Sequence, residues 1–361
     1  MCRPGWARPA VRAAAAAAIL AASVSCAHAR SAASSPVSRG TPDRSLGGLF
    51  FWSHFNRVNG LAAVSAQDIW AVGSAATGKP LIEHWAGMAW RQVPAASPRG
   101  ARESLLNGVA AVSSSRAWAV GYYNDGRAIR TLIERWNGRA WTQVTSPSPG
   151  GSRGRSALDG VAASGTSGAW AVGYYGPPDR PLIERWNGRA WTLVTSPNPG
   201  GRDGGALAAV TTIGKAGAWA AGSVGTRTVD DALIERWTGR AWTQVNSPRP
   251  AGSRGSTLTA IAADSAADAW AVGYYFADAT VDPAVLTLTE RWNGRAWRQV
   301  RSPSPGGTAV SSADQSLLQG VCAISPSDAW SAGSYSSGNP LGKILIARWT
   351  GRAWKPLAAG R

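Results

Sequence analysis

Seven tyrosines and six aspartates are the side chains of this sequence best suited to chemistry. Tyr122, Tyr123, Tyr174, Tyr175, Tyr274, Tyr275 and Tyr335 each end a short apolar run. Asp125, Asp179, Asp230, Asp231, Asp278 and Asp282 follow them, in stretches that differ from one another while their surroundings repeat. An aromatic face beside carboxylates and hydroxyls is the equipment of a carbohydrate- or peptide-binding surface. Two such carboxylates about 5–10 Å apart in one deep pocket would instead serve a glycosidase. The structural alternative is that the tyrosines cap a rim and the acids are solvated loop residues.

Other chemistries lack their residues. The histidines are His28, His54 and His84, and the cysteines Cys2, Cys26 and Cys322. That is too few, in the wrong places, for a zinc or copper centre. Gly78-Lys79, Gly214-Lys215 and Gly342-Lys343 are followed by Pro80, Ala216 and Ile344, not by the Ser or Thr of a phosphate loop. Cys322, in LLQGVCAIS, stands where Ala110 and Ala162 stand in similar stretches and reads as a small buried hydrophobe. No catalytic residue, metal or cofactor is assigned.

The N-terminus reads as a targeting segment. Arg3, Arg8 and Arg12 precede an apolar run from Ala13 to Val24, and Ala27-His28-Ala29 has the small-x-small form of a cleavage site. The run is too short to span a bilayer, so residues 1–29 are expected to be a secretory signal peptide. Cys26 offers lipid anchoring as the alternative. Residues 30–47, rich in Ser, Ala, Pro, Gly and Arg, suit a flexible tether. Removing residues 1–29 takes away three arginines and no acid, lowering the net charge from +17 to +14. Such a balance favours anionic partners such as wall polymers, acidic polysaccharide or anionic lipid; specific nucleic-acid binding is not expected. Lys occurs four times against many Arg, Ala and Gly, so composition alone is the competing source of the charge.

The elements that must position the tyrosines and acids come from a repeat. Eighteen of the twenty tryptophans fall in six triples, beginning at Trp70, Trp118, Trp170, Trp219, Trp270 and Trp330. The last two of each triple, as in Trp136 and Trp141, are five residues apart. Each unit holds four strand-sized apolar runs separated by Gly, Pro, Asn or Ser; in the second they are Gly108–Val112, Ala117–Tyr123, Thr131–Trp136 and Ala140–Thr145. Four strands in about 40–50 residues is the spacing of a propeller blade. Residues 48–361 are therefore expected to form an all-β, six-bladed β-propeller of four antiparallel strands per blade. The blades fall at about 57–98, 105–149, 157–199, 206–250, 257–305 and 317–356. Asn137-Gly138 turns the outer hairpin, placing Trp136, Trp141, Glu134 and Gln143 on one face and Ile133, Arg135, Thr142 and Val144 on the other. The Glu-Arg dipeptide before the first hairpin indole reads as a structural ion pair with the guanidinium stacked on an indole, and Asp68, Asp268 and Asp328 as turn residues.

AWAVGYY followed by LIERWNGRAWTQV resembles kelch and galactose-oxidase-type propeller repeats. Gly138-Arg139-Ala140-Trp141 also looks like the end of the Asp-box of sialidase-type propellers, with Trp136 where the Asp would stand. The resemblance covers residues 57–356 and extends to repeat proteins common in the secreted sets of high-GC bacteria. It implies the propeller. It selects no activity, because these families mix enzymes with binding proteins, and the histidines and Tyr–Cys pair of a galactose-oxidase copper centre are missing. The expectation is a secreted, monomeric, non-catalytic binding or scaffold protein. Its tyrosine-bearing face would recognise a carbohydrate, a cell-wall polymer or a protein. A glycosidase or lyase is the alternative. No strand exchange locks the ring, and Leu49 to Trp52 (LFFW) is the candidate for an extra strand at the closing seam.

Overall fold

The computed structural model describes residues 56–165, 168–214, 217–225, 230–277, 284–307, 315–337 and 342–357. The expectations for the signal peptide, the tether, Cys26, LFFW, Asp278 and Asp282 fall outside these residues. The protein is an all-β, six-bladed β-propeller of four-stranded antiparallel sheets. The innermost strands are Arg57–Ser65, Glu103–Ser113, Arg155–Ser164, Gly205–Ile213, Ser253–Ala263 and Gln315–Ser325, and each packs on the next in chain order.

Each innermost strand is longer than its apolar run predicts. Blade 2 shows why. Glu103–Leu106 pairs with the tyrosine end of the second strand, and a bulge at Asn107 restores the register at Gly108. The same bulge falls at Asn59, Asp159, Ala208, Thr259 and Gln319. Opposite it stands the glycine of AWAVG. A Cβ at Gly173 would collide with the Ala157 carbonyl oxygen, so the fold needs a bare backbone there. We expect Gly173→Ala to cost about 3 kcal/mol, at the upper end for overpacking a tight core. A urea midpoint reads it, and an unchanged midpoint would mean that the bulge is absent.

The outer hairpins form in the expected register, with Trp136 opposite Trp141 and Arg135 opposite Thr142. Their indoles interlock the blades. The second-strand Trp118 of blade 2 meets Trp186 at 4.9 Å, tilted, and Trp191 at 5.1 Å, edge-on, both from blade 3. Trp70, Trp170, Trp219 and Trp270 repeat this joint with the hairpins that follow them. At four joints a guanidinium stacks across both sides: Arg236 lies 5.0 Å from Trp219 and 5.6 Å from Trp292, and Arg135, Arg185 and Arg291 do the same. At the first, His84 stacks on Trp70 instead. Five seam cores result. Between blades 6 and 1 the halves of a sixth joint stand apart among the described residues. Trp330 has only Arg348 over its ring, Trp85 and Trp90 touch each other, and Trp90 is 41% exposed where its counterparts are 4–6%.

Two expectations about charge are corrected. Glu134 and its equivalents do not pair with the adjacent arginine, because alternation along the strand sends them to the opposite face. There they are buried in the seam with the preceding blade, where its exit linker reaches them. Ser146 donates to Glu184 at 3.0 Å, Ser196 to Glu235 at 2.8 Å and Ser247 to Glu290 at 2.8 Å. The backbone N–H of Ala96 donates to Glu134 at 2.8 Å. Asp68, Asp268 and Asp328 are more than turn residues: they are the acid partners of His84 (2.7 Å), Arg291 (2.5 Å) and Arg348 (2.8 Å).

Candidate functional site

The tyrosines do end the second strands at one face, which we call the loop face. Strand alternation then divides each pair between two seams. Tyr122 faces blade 3 with Leu105 and Ala157, and Tyr123 faces blade 1. Tyr175 packs toward blade 2, Tyr275 toward blade 4 and Tyr335 toward blade 5. Tyr274 stands edge-on to Phe276 at 5.7 Å. The ring of platforms is thus also a set of seam plugs.

The acids divide similarly. Asp125 is held by its own loop: it accepts the backbone N–H groups of Arg127 and Ala128 at 2.8 Å and pairs with Arg130 at 2.6 Å. The Arg130 bond, with the two backbone N–H groups, holds its carboxyl down near 2. Asp231 lies 3.4 Å from Arg249, and Asp230 begins the third strand of blade 4 opposite Gly225. A shallow groove near Tyr275 is lined by Thr287, Gln299, Arg301, Ser302 and Ser304.

Blades 2 and 3 bring the chemistry together. Asp159 occupies the bulge of the blade 3 inner strand. The equivalent Asn59, Asn107 and Thr259 are buried and donate to Leu106, Leu158 and Leu318 carbonyls of the next blade at 2.8–2.9 Å. Asp159 differs: it stays partly accessible and accepts from Asn107 Nδ2 at 2.9 Å. Crowding by protein, then the nearby Asp179 carboxylate, raises its carboxyl to about 8. Its surroundings therefore favour the protonated form, which can donate as well as accept. Tyr122 and Tyr174 lie close enough for burial and Asp159 to push their phenols upward. Arg155 pairs with Asp179 at 2.7 Å and lies 5.6 Å from the Tyr174 ring. Tyr174, Asp179 and Arg155 are half-buried, while Tyr122 is buried against Ala157.

Sequence reasoning selected Tyr122, Tyr174 and Asp179 and missed Asp159; it saw Arg155 only as one of several loop arginines and gave the seam glutamates the wrong partner. The signal for Asp159 was present: the residue before Gly160 is a polar, variable position between Ala157-Leu158 and Gly160-Val161.

No protein-family model matches the chain, and no curated protein does. Solved structures do share its shape. An ulvan lyase of polysaccharide lyase family PL25, bound to -[GlcA(1-4)Rha3S]-, superposes with a TM-score of 0.50 at 9% identity, covering 81% of this chain and 78% of that one. A GH74 xyloglucanase from Xanthomonas campestris gives 0.49 at 13% identity and covers 83% of this chain, which spans 46% of the xyloglucanase. A six-bladed lectin from Aleuria aurantia gives 0.46 at 13% identity, covering 84% of this chain and 95% of that one. At these identities the likeness speaks for the fold alone. The finer likeness to kelch repeats gains no support from them.

Proposed function

We propose that this is a secreted, non-catalytic propeller that binds carbohydrate on its loop face, at blades 2 and 3. The observation that carries the reading is the grouping of Tyr174, Asp159 and the Arg155–Asp179 pair where the repeats disagree. A sugar hydroxyl donates and accepts at once, and so does a protonated carboxyl. A tyrosine ring beside it offers flat apolar surface for the C–H face of a pyranose. The Arg155 pair adds directed donors at fixed geometry.

Glycan-array screening followed by calorimetry tests the reading. Tyr174→Ala and Asp159→Ala should each weaken the best ligand about tenfold or more, the loss of roughly one well-made polar or stacking contact. Binding that ignores both substitutions would remove the site. One observation favours a second reading. Asp159 is held toward its protonated form while its neighbour Asp179 is paired with Arg155, and two carboxyls in such different surroundings are what a glycosidase or lyase needs. Release of reducing ends by the wild type, lost in Asp159→Asn while binding remains, would convert the binding protein into an enzyme.

A further inference from the structure

The outer hairpin tips repeat one cation without structural need. Arg139, Arg189, Arg240, Arg295 and Arg352 each follow a turn glycine with positive φ. All five are exposed, and none has a side-chain hydrogen bond, ion pair or ring contact among the described residues. The turn is closed without them: Asn137 Oδ1 accepts the backbone N–H groups of Arg139 and Ala140 at 2.9 Å, and Asn187 and Asn293 do the same. Any side chain would fit at the arginine position.

The five tips share one face, opposite the tyrosines. In blades 2, 5 and 6 the tip glycine lies against the first turn of its own blade, near Ser115, Ala267 and Ser327. Trp136 Nε1 donates to the Ser114 carbonyl and Trp292 Nε1 to that of Ala266. This turn face is nearly free of acid. Asp68, Asp268 and Asp328 are paired, leaving Asp264 as the unpaired acid there among the described residues. Glu103, Asp125, Asp179, Asp203, Asp230 and Asp231 all lie at the other end of the blades. Arg91, Arg298 and Lys355 on the outer strands extend the basic rim. In blade 1 the tip arginine is replaced by Met88, 89% exposed. Val64 and Ile324, 39% and 51% exposed, sit at inner-strand ends on this same face.

We propose that the turn face docks flat on an anionic lipid bilayer, with the tip arginines on headgroups and Met88 at the acyl boundary. One isolated guanidinium per blade cannot follow a nucleic-acid backbone, which asks for closely spaced cations along a track. A flat surface meets all the tips at once, so weak single contacts act together. A soluble polyanion would satisfy the arginines but give Met88, Val64 and Ile324 nothing, whereas a bilayer takes both. The inference stands apart from the carbohydrate reading, which uses the other face.

Cosedimentation of the full chain with phosphatidylcholine vesicles, with and without phosphatidylglycerol, tests it. Binding should require the anionic lipid and fall steeply with salt. Each Arg→Gln at a tip should weaken it about fivefold, and all five together about a thousandfold or more. Met88→Ser should weaken it severalfold with the salt dependence kept. Melting temperature checks that the variants fold, and glycan binding should be untouched. Equal binding to neutral vesicles, or an unaffected five-site variant, overturns the proposal. So does tight binding to soluble polyphosphate with none to vesicles, which would assign the face to a polymer.

Discussion

Between pH 5 and pH 9 the melting temperature should fall by about 10–20 °C, the shift that a loss of roughly 5 kcal/mol produces in a domain of a few hundred residues. The cause is the set of glutamates in the blade seams. Burial raises Glu134 and Glu235 to about 7, and Glu184 and Glu290 to about 8, against an ordinary 4.5. Each has one modest donor, and an oxygen of Glu134, Glu235 and Glu290 is buried without any partner. That is a site for a neutral acid, not for a carboxylate. Because the folded state holds these protons more tightly than the unfolded chain, the stabilisation is fully present below about 4.5. It is lost as pH rises through 7 to 8. One unit of separation is worth about 1.4 kcal/mol, so a single carboxyl would withdraw on the order of 3–5 kcal/mol. Four together would exceed the net stability of most domains, so the seams are expected to open and hydrate before the full cost is reached. Asp159, also raised to about 8, acts in the same direction. Scanning calorimetry across this range reads the slope. Replacing all four glutamates with glutamine keeps the acceptor and removes the charge, so it should flatten the slope and leave the variant more stable at pH 9. A wild type whose melting temperature is level from pH 5 to pH 9 would show that these carboxyls are hydrated.

The fold was legible because the repeat displays its own geometry. Two indoles five residues apart across Asn-Gly leave one register, and Trp136 opposite Trp141 realises it. Small inner strands and aromatic outer ones describe a wedge, as the seam cores confirm. What the pattern could not convey was which neighbour covers which face. Alternation places Glu134 and Arg135 on opposite sides, but only the assembled ring shows that one side meets a linker and the other meets an indole. So Ser146, which reads as linker, is a latch, and Asp268, which reads as a turn, is the counter-ion of Arg291.

The candidate site was half legible for the same reason. Tyr122 and Tyr174 are visible as strand ends, yet their division between seams follows from the pleat and the order of blades. Asp159 is a single departure from a bulge position that only the pairing register reveals. A repeat advertises what it shares, and a site made from departures is recognised only after the shared part has been placed.

The tryptophan joints carry the other large effect. Trp219→Ala should destabilise the protein by about 3–5 kcal/mol, the usual cost of emptying a buried aromatic site. Trp219 is fully buried, packs on Trp292 and Trp297 at 5.0 and 5.2 Å, and supports the Arg236 guanidinium. Its removal opens a void between two blades and strips an arginine of its aromatic shelf, which adds about 1 kcal/mol. Neighbouring blades cannot collapse into the gap, because the inner strands of blades 4 and 5, Gly205–Ile213 and Ser253–Ala263, are already packed on each other. Trp330→Ala is the informative control. Its indole meets Arg348 alone and faces the seam where Trp90 is exposed. Its loss should cost about 1 kcal/mol, in line with a partly exposed cation–π contact. Denaturant midpoints of the two variants therefore compare a sealed joint with an unsealed one. If Trp330→Ala and Trp85→Ala each cost as much as Trp219→Ala, blades 6 and 1 close in solution through a sixth joint like the other five. If they do not, that seam is where the ring is weakest, as the exposure of Trp90 and the lone Arg348 contact of Trp330 indicate.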